Sequence, residues 1–179
     1  MPSIKNWDNN TWLSSKSYIK SFSNFLKKNT KLDSSSKILD IGCGRGKIIG
    51  NLKSKYRLNN KPIGIDIVSH KDKDARIKFK KVDALIFFLT NKEKFDLIII
   101  KQTIHFLNIK KIKRLLLLSK NNLTLNGKIF IFTLDTSKNE LPTFKLMKSK
   151  LTKSLERNKK ILNLINKLYQ NKIVKNFIY

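Results

Sequence analysis

The sequence predicts a single α/β domain built on a doubly wound, mostly parallel sheet flanked by helices. Three observations lead there. Short, nearly all-apolar runs alternate with segments whose apolar residues recur at helical spacing, the pattern of a sheet covered on both faces. A glycine-rich turn follows the first apolar run at once and opens a helical segment. The chain has 179 residues, 40% of them hydrophobic, which suits one domain with a real core.

The elements follow in order. Tyr18, Ile19, Phe22, Phe25 and Leu26 recur at helical spacing, with Ser14 or Ser15 as N-cap. Residues 32–36 form a linker, and residues 37–41 a short buried strand that runs into Gly42-Cys43-Gly44-Arg45-Gly46. Residues 47–56 carry Ile48, Ile49 and Leu52 on one helix face. After Pro62, residues 63–68 make a second strand, and residues 77–82 a weaker third one that ends in Asp83-Ala84. Residues 95–100 make a fourth strand, with four apolar residues in a row at its end. Ile112, Leu115, Leu116 and Leu118 mark a helix over residues 109–123. Asn126-Gly127 reads as a turn before a fifth strand at residues 128–134. Residues 142–170 read as one or two helices, and residues 172–179 as the start of one more strand. Nothing repeats internally.

Composition narrows the possibilities. No apolar run approaches the ~18 residues of a membrane span, and the first ten residues lack the apolar core of a secretory signal. Cys43 is the only cysteine, which excludes a disulfide scaffold and a cysteine-based metal site; no metal is expected. A reducing, cytoplasmic setting and a monomer or weak dimer are the expectations. The net charge of +27 points first to nucleic acid. Yet the excess is nearly all lysine, dispersed along the chain, with Ile and Asn also abundant and Ala scarce. That is the signature of A/T-rich codons. Recognition surfaces favour the planar fork of arginine, so weak, non-specific nucleic-acid binding is expected.

The glycine loop is the most informative stretch. A turn of this kind between strand and helix lets a ligand approach backbone that side chains would block. A P-loop requires G-x-x-x-x-G-K-[ST] and a dinucleotide fingerprint requires G-x-G-x-x-G; both fail here, the second because its third glycine falls on Lys47. What stands is D-x-G-x-G-x-G over residues 40–46.

That pattern resembles motif I of the class I S-adenosylmethionine-dependent methyltransferases, and the resemblance continues over roughly residues 36–135. Gly64-Ile65-Asp66-Ile67 is similar to the family's second strand, which ends in an acid; Asp66 lies 20 residues after Gly46. Asp83-Ala84 is similar to the acid after the third strand, Phe95-Asp96 to the start of the fourth, and Asn126-Gly127-Lys128 to the approach to the fifth, with one glycine lost. The resemblance implies a Rossmann-like fold and S-adenosyl-L-methionine as cofactor, with S-adenosyl-L-homocysteine as product. It implies Asp40, Gly42, Cys43, Gly44, Gly46, Asp66, Ile67, Asp83, Ala84, Lys101 and Gln102 as cofactor-binding residues, Asp66 on the ribose and Asp83 on the adenine amino group. Cys43 has no catalytic part. Four of only twelve acids fall at these strand positions. Three of them also have a plainer reading: Asp83 or Asp96 as a helix cap, Asp40 as a brace for the loop.

The residues after the fourth strand, Lys101 to Phe106, carry neither the [DN]-P-P-[YFW] of enzymes that methylate base amino groups nor the Pro-Cys of those that methylate cytosine carbon. They are similar to the x-x-x-H-x-hydrophobic segment of small-molecule and lipid-quinone methyltransferases. His105 is therefore the candidate general base, or else a histidine that supports the start of a helix. His70 lies in a charged loop and reads as solvated. Trp7, Trp12 and Tyr18 suggest either an aromatic lid over a sulfonium or core packing.

The expected organisation is one methyltransferase domain: an N-terminal helical lid or extension at 1–33, a cofactor-binding core at 36–135, and C-terminal helices with a possible last strand at 138–179. The family's final strand pair is incomplete here. The expected function is methyl transfer to a small-molecule acceptor. The alternatives are an RNA methyltransferase using a basic surface, or a truncated cofactor-binding relic without turnover.

Overall fold

The computed structural model describes residues 15–132, together with Lys160, Asn163, Leu164 and Lys167. The described residues form α1 (Lys16–Asn29), β1 (Ile38–Ile41), α2 (Lys47–Tyr56), β2 (Ile63–Asp66), β3 (Lys78–Lys81), α3 (Ala84–Thr90), β4 (Phe95–Lys101), α4 (Ile109–Asn121) and β5 (Leu123–Phe132). A single 3-10 turn, Ile104–Phe106, joins β4 to α4. The sheet is parallel throughout, in the order β3-β2-β1-β4-β5.

Strand alternation explains why β1 and β4 are apolar at nearly every position. Leu39, Ile41, Ile98 and Ile100 face one core, where Phe87 and Phe88 of α3 and Ile112, Leu115 and Leu116 of α4 cover them. Ile38, Leu97 and Ile99 face the other, under Tyr18, Phe22 and Leu26 of α1 and Ile48, Ile49 and Leu52 of α2. A strand buried on both faces needs apolar residues at both parities. The sheet is doubly wound for that reason. Leu164, in a helical residue group beyond β5, packs against the first core.

Caps set the helix boundaries. The Ser15 side chain accepts from Tyr18 N at 3.2 Å and starts α1. Asn108 does the same for Lys111 N at 2.9 Å and starts α4. Arg57 ends α2 in the left-handed region, φ 51°, where its N–H returns to the carbonyls of Lys53 and Ser54.

Three features depart from the sequence reading. Helix α3 was not foreseen, because seven residues give too short a window for helical periodicity. The expected turn at Asn126-Gly127 lies inside β5. Pairing begins at Phe95↔Leu123 and resumes at Leu97↔Lys128, so β5 takes up three extra residues there. A Cβ on Gly127 would lie 2.6 Å from the Phe95 carbonyl, so only glycine fits the irregularity. Asp96 caps no helix. Its Oδ2 accepts from Lys37 N and its Oδ1 from the Thr124 hydroxyl, each at 2.8 Å. It thereby ties β4 to the starts of β1 and β5. No described helix is long and apolar enough to cross a membrane. The helices expected over 142–170 are described only at Lys160, Asn163, Leu164 and Lys167, all helical. The strand expected at 172–179 lies outside the described residues.

Candidate active site

A cleft of about 350 Å³ opens at the C-terminal ends of β1, β2 and β4. Open α/β sheets bind ligands there, where the chain turns from strand to helix and neighbouring crossovers diverge. A recess of about 470 Å³ at the opposite ends of the strands, lined by Ser36, Lys37, Pro62 and Phe95 among others, has neither glycine-loop backbone nor strand-end acids. The glycine-loop cleft is therefore the candidate site.

The loop between β1 and α2 forms its floor. Gly42, Gly44 and Gly46 all have positive φ, at 73°, 54° and 70°. Gly42 is constrained twice over, since a Cβ there would lie 2.0 Å from Thr103 Oγ1. Thr103 needs that space: its hydroxyl lies 3.0 Å from the carbonyls of both Ile41 and Lys101 and holds the ends of β1 and β4 together. Cys43 lines the cleft beside the three glycines. Its Sγ packs where a Cβ on Gly64 would come within 2.8 Å. Gly46 begins α2 without a side-chain cap, and Gly46, Lys47 and Ile48 at that helix start line the cleft.

The acids sort into distinct roles. Asp66 ends β2, and its Oδ2 accepts from Gly44 N at 2.8 Å while its Oδ1 accepts from Val68 N at 3.0 Å. It lines the cleft half-buried, beside Ile67, which is 55% exposed. Asp83 caps α3: its Oδ1 accepts from Leu85 N at 2.8 Å and Ile86 N at 3.4 Å. Asp83 and Ala84 line the cleft as well, so the capping role does not take Asp83 out of the cleft lining. Asp40 is 2% exposed, beneath the loop, and its Oδ1 accepts no hydrogen bond from the described residues. Burial pushes its carboxyl up to about 7, against the opposing pull of the Lys101 ammonium and with added repulsion from Asp66.

The end of β4 supplies the other wall. Gln102 has φ 54°, unusual for a residue with a side chain, and is pinned there by its N–H donating to Phe132 O at 2.9 Å. Its Oε1 is buried without a hydrogen bond among the described residues. Gln102 thus combines a strained backbone with an unsatisfied polar atom. Lys101 Nζ stands 5.5 Å from the Tyr18 ring centroid. His105 lies in the turn Ile104–Phe106.

Several expectations change with this geometry. Tyr18 is 3% exposed and stacked on Phe22, with centroids 5.8 Å apart; it belongs to the core beneath α1 and is no lid. Its neighbour Ile19 lines the cleft instead. Trp7 and Trp12 lie outside the described residues. His70, read as solvated, is half-buried and lines the cleft. Arg45 pairs with Asp72 at 2.9 Å and draws the loop after β2 toward the glycine loop. Sequence reasoning missed Thr103, Phe106, Leu107, Lys111 and Leu115, all cleft-lining. Only the spacing of Lys111 and Leu115 on one face of α4 offered a signal.

A parallel sheet of this order, with a glycine loop after β1 and an acid ending β2, defines a Rossmann-like methyltransferase fold. Residues 32–178 match the family model for a methyltransferase domain, and the chain belongs to the class I methyltransferase family. Solved structures agree on the fold. The plantazolicin methyltransferase BpumL, in complex with a desmethylPZN analog and SAH, is similar with a TM-score of 0.64 at 20% identity, over 93% of this chain and 69% of that one. A SAM-dependent methyltransferase from Archaeoglobus fulgidus gives 0.52 at 22% identity, over 62% and 51% of the two chains. A TehB-like methyltransferase from Corynebacterium glutamicum gives 0.52 at 23% identity, over 62% and 60%. The chain thus spans between half and three fifths of these last two. No curated protein matches it.

Proposed function

We propose that this protein transfers a methyl group from S-adenosylmethionine to a small-molecule acceptor. One observation carries the reading: Asp66, at the end of β2, holds the Gly44 amide and faces the cleft between the glycine loop and β4. The residues fit the cofactor. Asp66 has lone pairs to accept from vicinal ribose hydroxyls. Ile67 offers an exposed apolar surface to a purine face, and Asp83 Oδ2, unused by the α3 cap, is available to an exocyclic amine. The bare N-terminus of α2 suits a carboxylate. The unsatisfied Asp40 Oδ1 and Gln102 Oε1 are acceptors that suit an ammonium-bearing ligand. Neighbours crystallised with S-adenosylhomocysteine support the same cofactor.

S-adenosylmethionine brings a methyl group on sulfur already activated for displacement. The protein's task is alignment and, for a protonated acceptor, removal of a proton. His105, in the turn beyond β4, is the group assigned to the acceptor side, as the base. Titration with S-adenosylhomocysteine in a calorimeter, followed by labelling of small-molecule extracts with radioactive S-adenosylmethionine, tests the proposal. Absence of binding removes the cofactor; binding without labelled product removes the turnover. An RNA acceptor has one observation in its favour. Lys110, Lys111, Lys113 and Arg114 stand together on the exposed start of α4 beside the cleft.

A further inference from the structure

Two neighbouring strands leave the sheet in the same way at the cleft. β1 ends at Ile41 and β4 at Lys101, and Ile41 is paired with Ile100. The residue after each strand takes the left-handed region, Gly42 with φ 73° and Gln102 with φ 54°. Glycine adopts that conformation freely, whereas a residue with a Cβ is held in it by its surroundings. Thr103 provides part of that hold. Its hydroxyl lies 3.0 Å from Lys101 O, next to Gln102, and 3.0 Å from Ile41 O, next to Gly42. A hydroxyl has one proton to donate, so the last carbonyls of the two strands share it. The Gln102 amide completes the bracket by donating to Phe132 O of β5 at 2.9 Å.

The same residue reaches the glycine loop and the turn beyond β4. Its Oγ1, Cγ2 and Cβ occupy the space over Gly42, where an added Cβ would meet them at 2.0, 2.9 and 3.0 Å. Its carbonyl accepts from Phe106 N at 3.1 Å and closes the 3-10 turn that carries His105. Ile104, 1% exposed, anchors that turn in the core shared with Ile41 and Ile100. Asp96 already ties β1, β4 and β5 at the ends of the strands away from the cleft. Thr103 makes the corresponding tie at the cleft end, and it lines the cleft itself.

We propose that Thr103 is a positioning residue: its hydroxyl, shared between the ends of β1 and β4, sets the spacing of the glycine loop against the turn that carries His105. This rests on the methyl-transfer reading of the same cleft, in which the loop serves the cofactor and the turn serves the acceptor. Two groups that must align lose rate when the spacing between them drifts, even with each group intact. Thr103 acts through Gly42 and the turn, and its role needs no contact with a ligand.

The test compares three full-length variants with the parent. Thr103→Val keeps the branched shape and loses the hydroxyl, Thr103→Ser keeps the hydroxyl, and Asp96→Ala is the destabilised control away from the cleft. Three amides report on the joint: Gly42 N, which donates to Ile65 O, Gln102 N and Phe106 N. In ligand-free Thr103→Val all three should exchange hydrogen roughly tenfold faster than in the parent, while residues 97–100 in the middle of β4 keep their rates. Affinity for S-adenosylhomocysteine, read by calorimetry, should fall about tenfold, as expected for carbonyls left without their shared donor. Thr103→Ser should recover most of both effects. Asp96→Ala should reproduce neither, although it lowers the melting temperature. Faster exchange on one side only, at Gly42 or at the turn, would overturn the proposal. So would Thr103→Ser as impaired as Thr103→Val, which would assign the effect to packing. Lost affinity with unchanged exchange would make Thr103 a ligand contact instead. Thr103→Ala takes the place of Thr103→Val if the latter does not fold. Failure of the parent to bind S-adenosylhomocysteine removes the methyl-transfer reading, and the exchange comparison then decides by itself whether the joint exists.

Discussion

Asp66 Oδ2 accepts the Gly44 amide proton across 22 residues at 2.8 Å, so the strand-end acid that faces the cleft also fixes the glycine loop. Asp66→Ala should therefore have two effects. It should destabilise the free protein by about 1–3 kcal/mol, the range for loss of hydrogen bonds to a charged group. It should also remove most of the rise in melting temperature that S-adenosylhomocysteine produces in the parent protein. Thermal denaturation with and without ligand measures both. A variant that loses stability but keeps the full ligand-induced rise would reduce Asp66 to a loop brace.

Asp96 provides the contrast. It bonds Lys37 N and the Thr124 hydroxyl at the ends of the strands away from the cleft. Asp96→Ala should cost about 1–3 kcal/mol, since it removes one exposed and one partly buried hydrogen bond to a charged group. Affinity for S-adenosylhomocysteine should stay within about twofold of the parent. Denaturant unfolding and calorimetry on one preparation give the pair of numbers.

Gly42 and Thr103 compete for the same space. Gly42→Ala places a Cβ on Thr103 Oγ1 and forces φ 73° on a residue with a side chain. The expected cost exceeds the ~1 kcal/mol of an ordinary glycine-to-alanine change at positive φ. Thr103→Ala in the same molecule should recover the steric part and leave the backbone part. A double-mutant cycle reads this directly, and strict additivity would count against the contact.

Asp40 predicts a pH dependence. Its carboxyl is raised from an ordinary 3.8 to about 7, chiefly by burial. Between those values the folded protein holds a proton that the unfolded chain has released. Folding stability therefore falls as pH rises from about 4 to 7, and the penalty is complete above 7. Asp40→Asn removes this contribution. The variant should gain on the parent across that window by on the order of a few kcal/mol, judged from the size of the shift. Parallel stability curves from pH 4 to 8 would show that the carboxyl is not held neutral.

His105 carries the proposed proton transfer. His105→Ala should lower turnover by roughly 10²–10⁴-fold while S-adenosylhomocysteine affinity holds. If ligand affinity and stability fall together, the histidine supports the turn. If turnover barely changes, the acceptor arrives already deprotonated and needs no base.

The sequence by itself determined the alternation of strands and helices, the position of the glycine loop, and the acid at the end of β2. These are local facts. An all-apolar tetrapeptide such as Ile98 to Ile100 with Leu97 has to be buried on both faces, and a turn with three glycines has to leave its backbone open. Tertiary structure decided what local pattern cannot carry. Asp40, Asp66, Asp83 and Asp96 look alike as acids near strand ends. One is buried without a partner for its Oδ1, one holds the loop, one caps α3, and one ties three strands at the far edge. Those differences depend on which face and which end of the sheet each carboxylate meets. Tyr18 and Ile19 are adjacent in a helix, yet only Ile19 reaches the cleft, because the angle at which α1 docks on the sheet decides which of them is core. Lys111 and Phe106 come to the cleft through the turn after β4 and the direction of α4. Contacts between residues distant in sequence set both, and no spacing in the sequence records them.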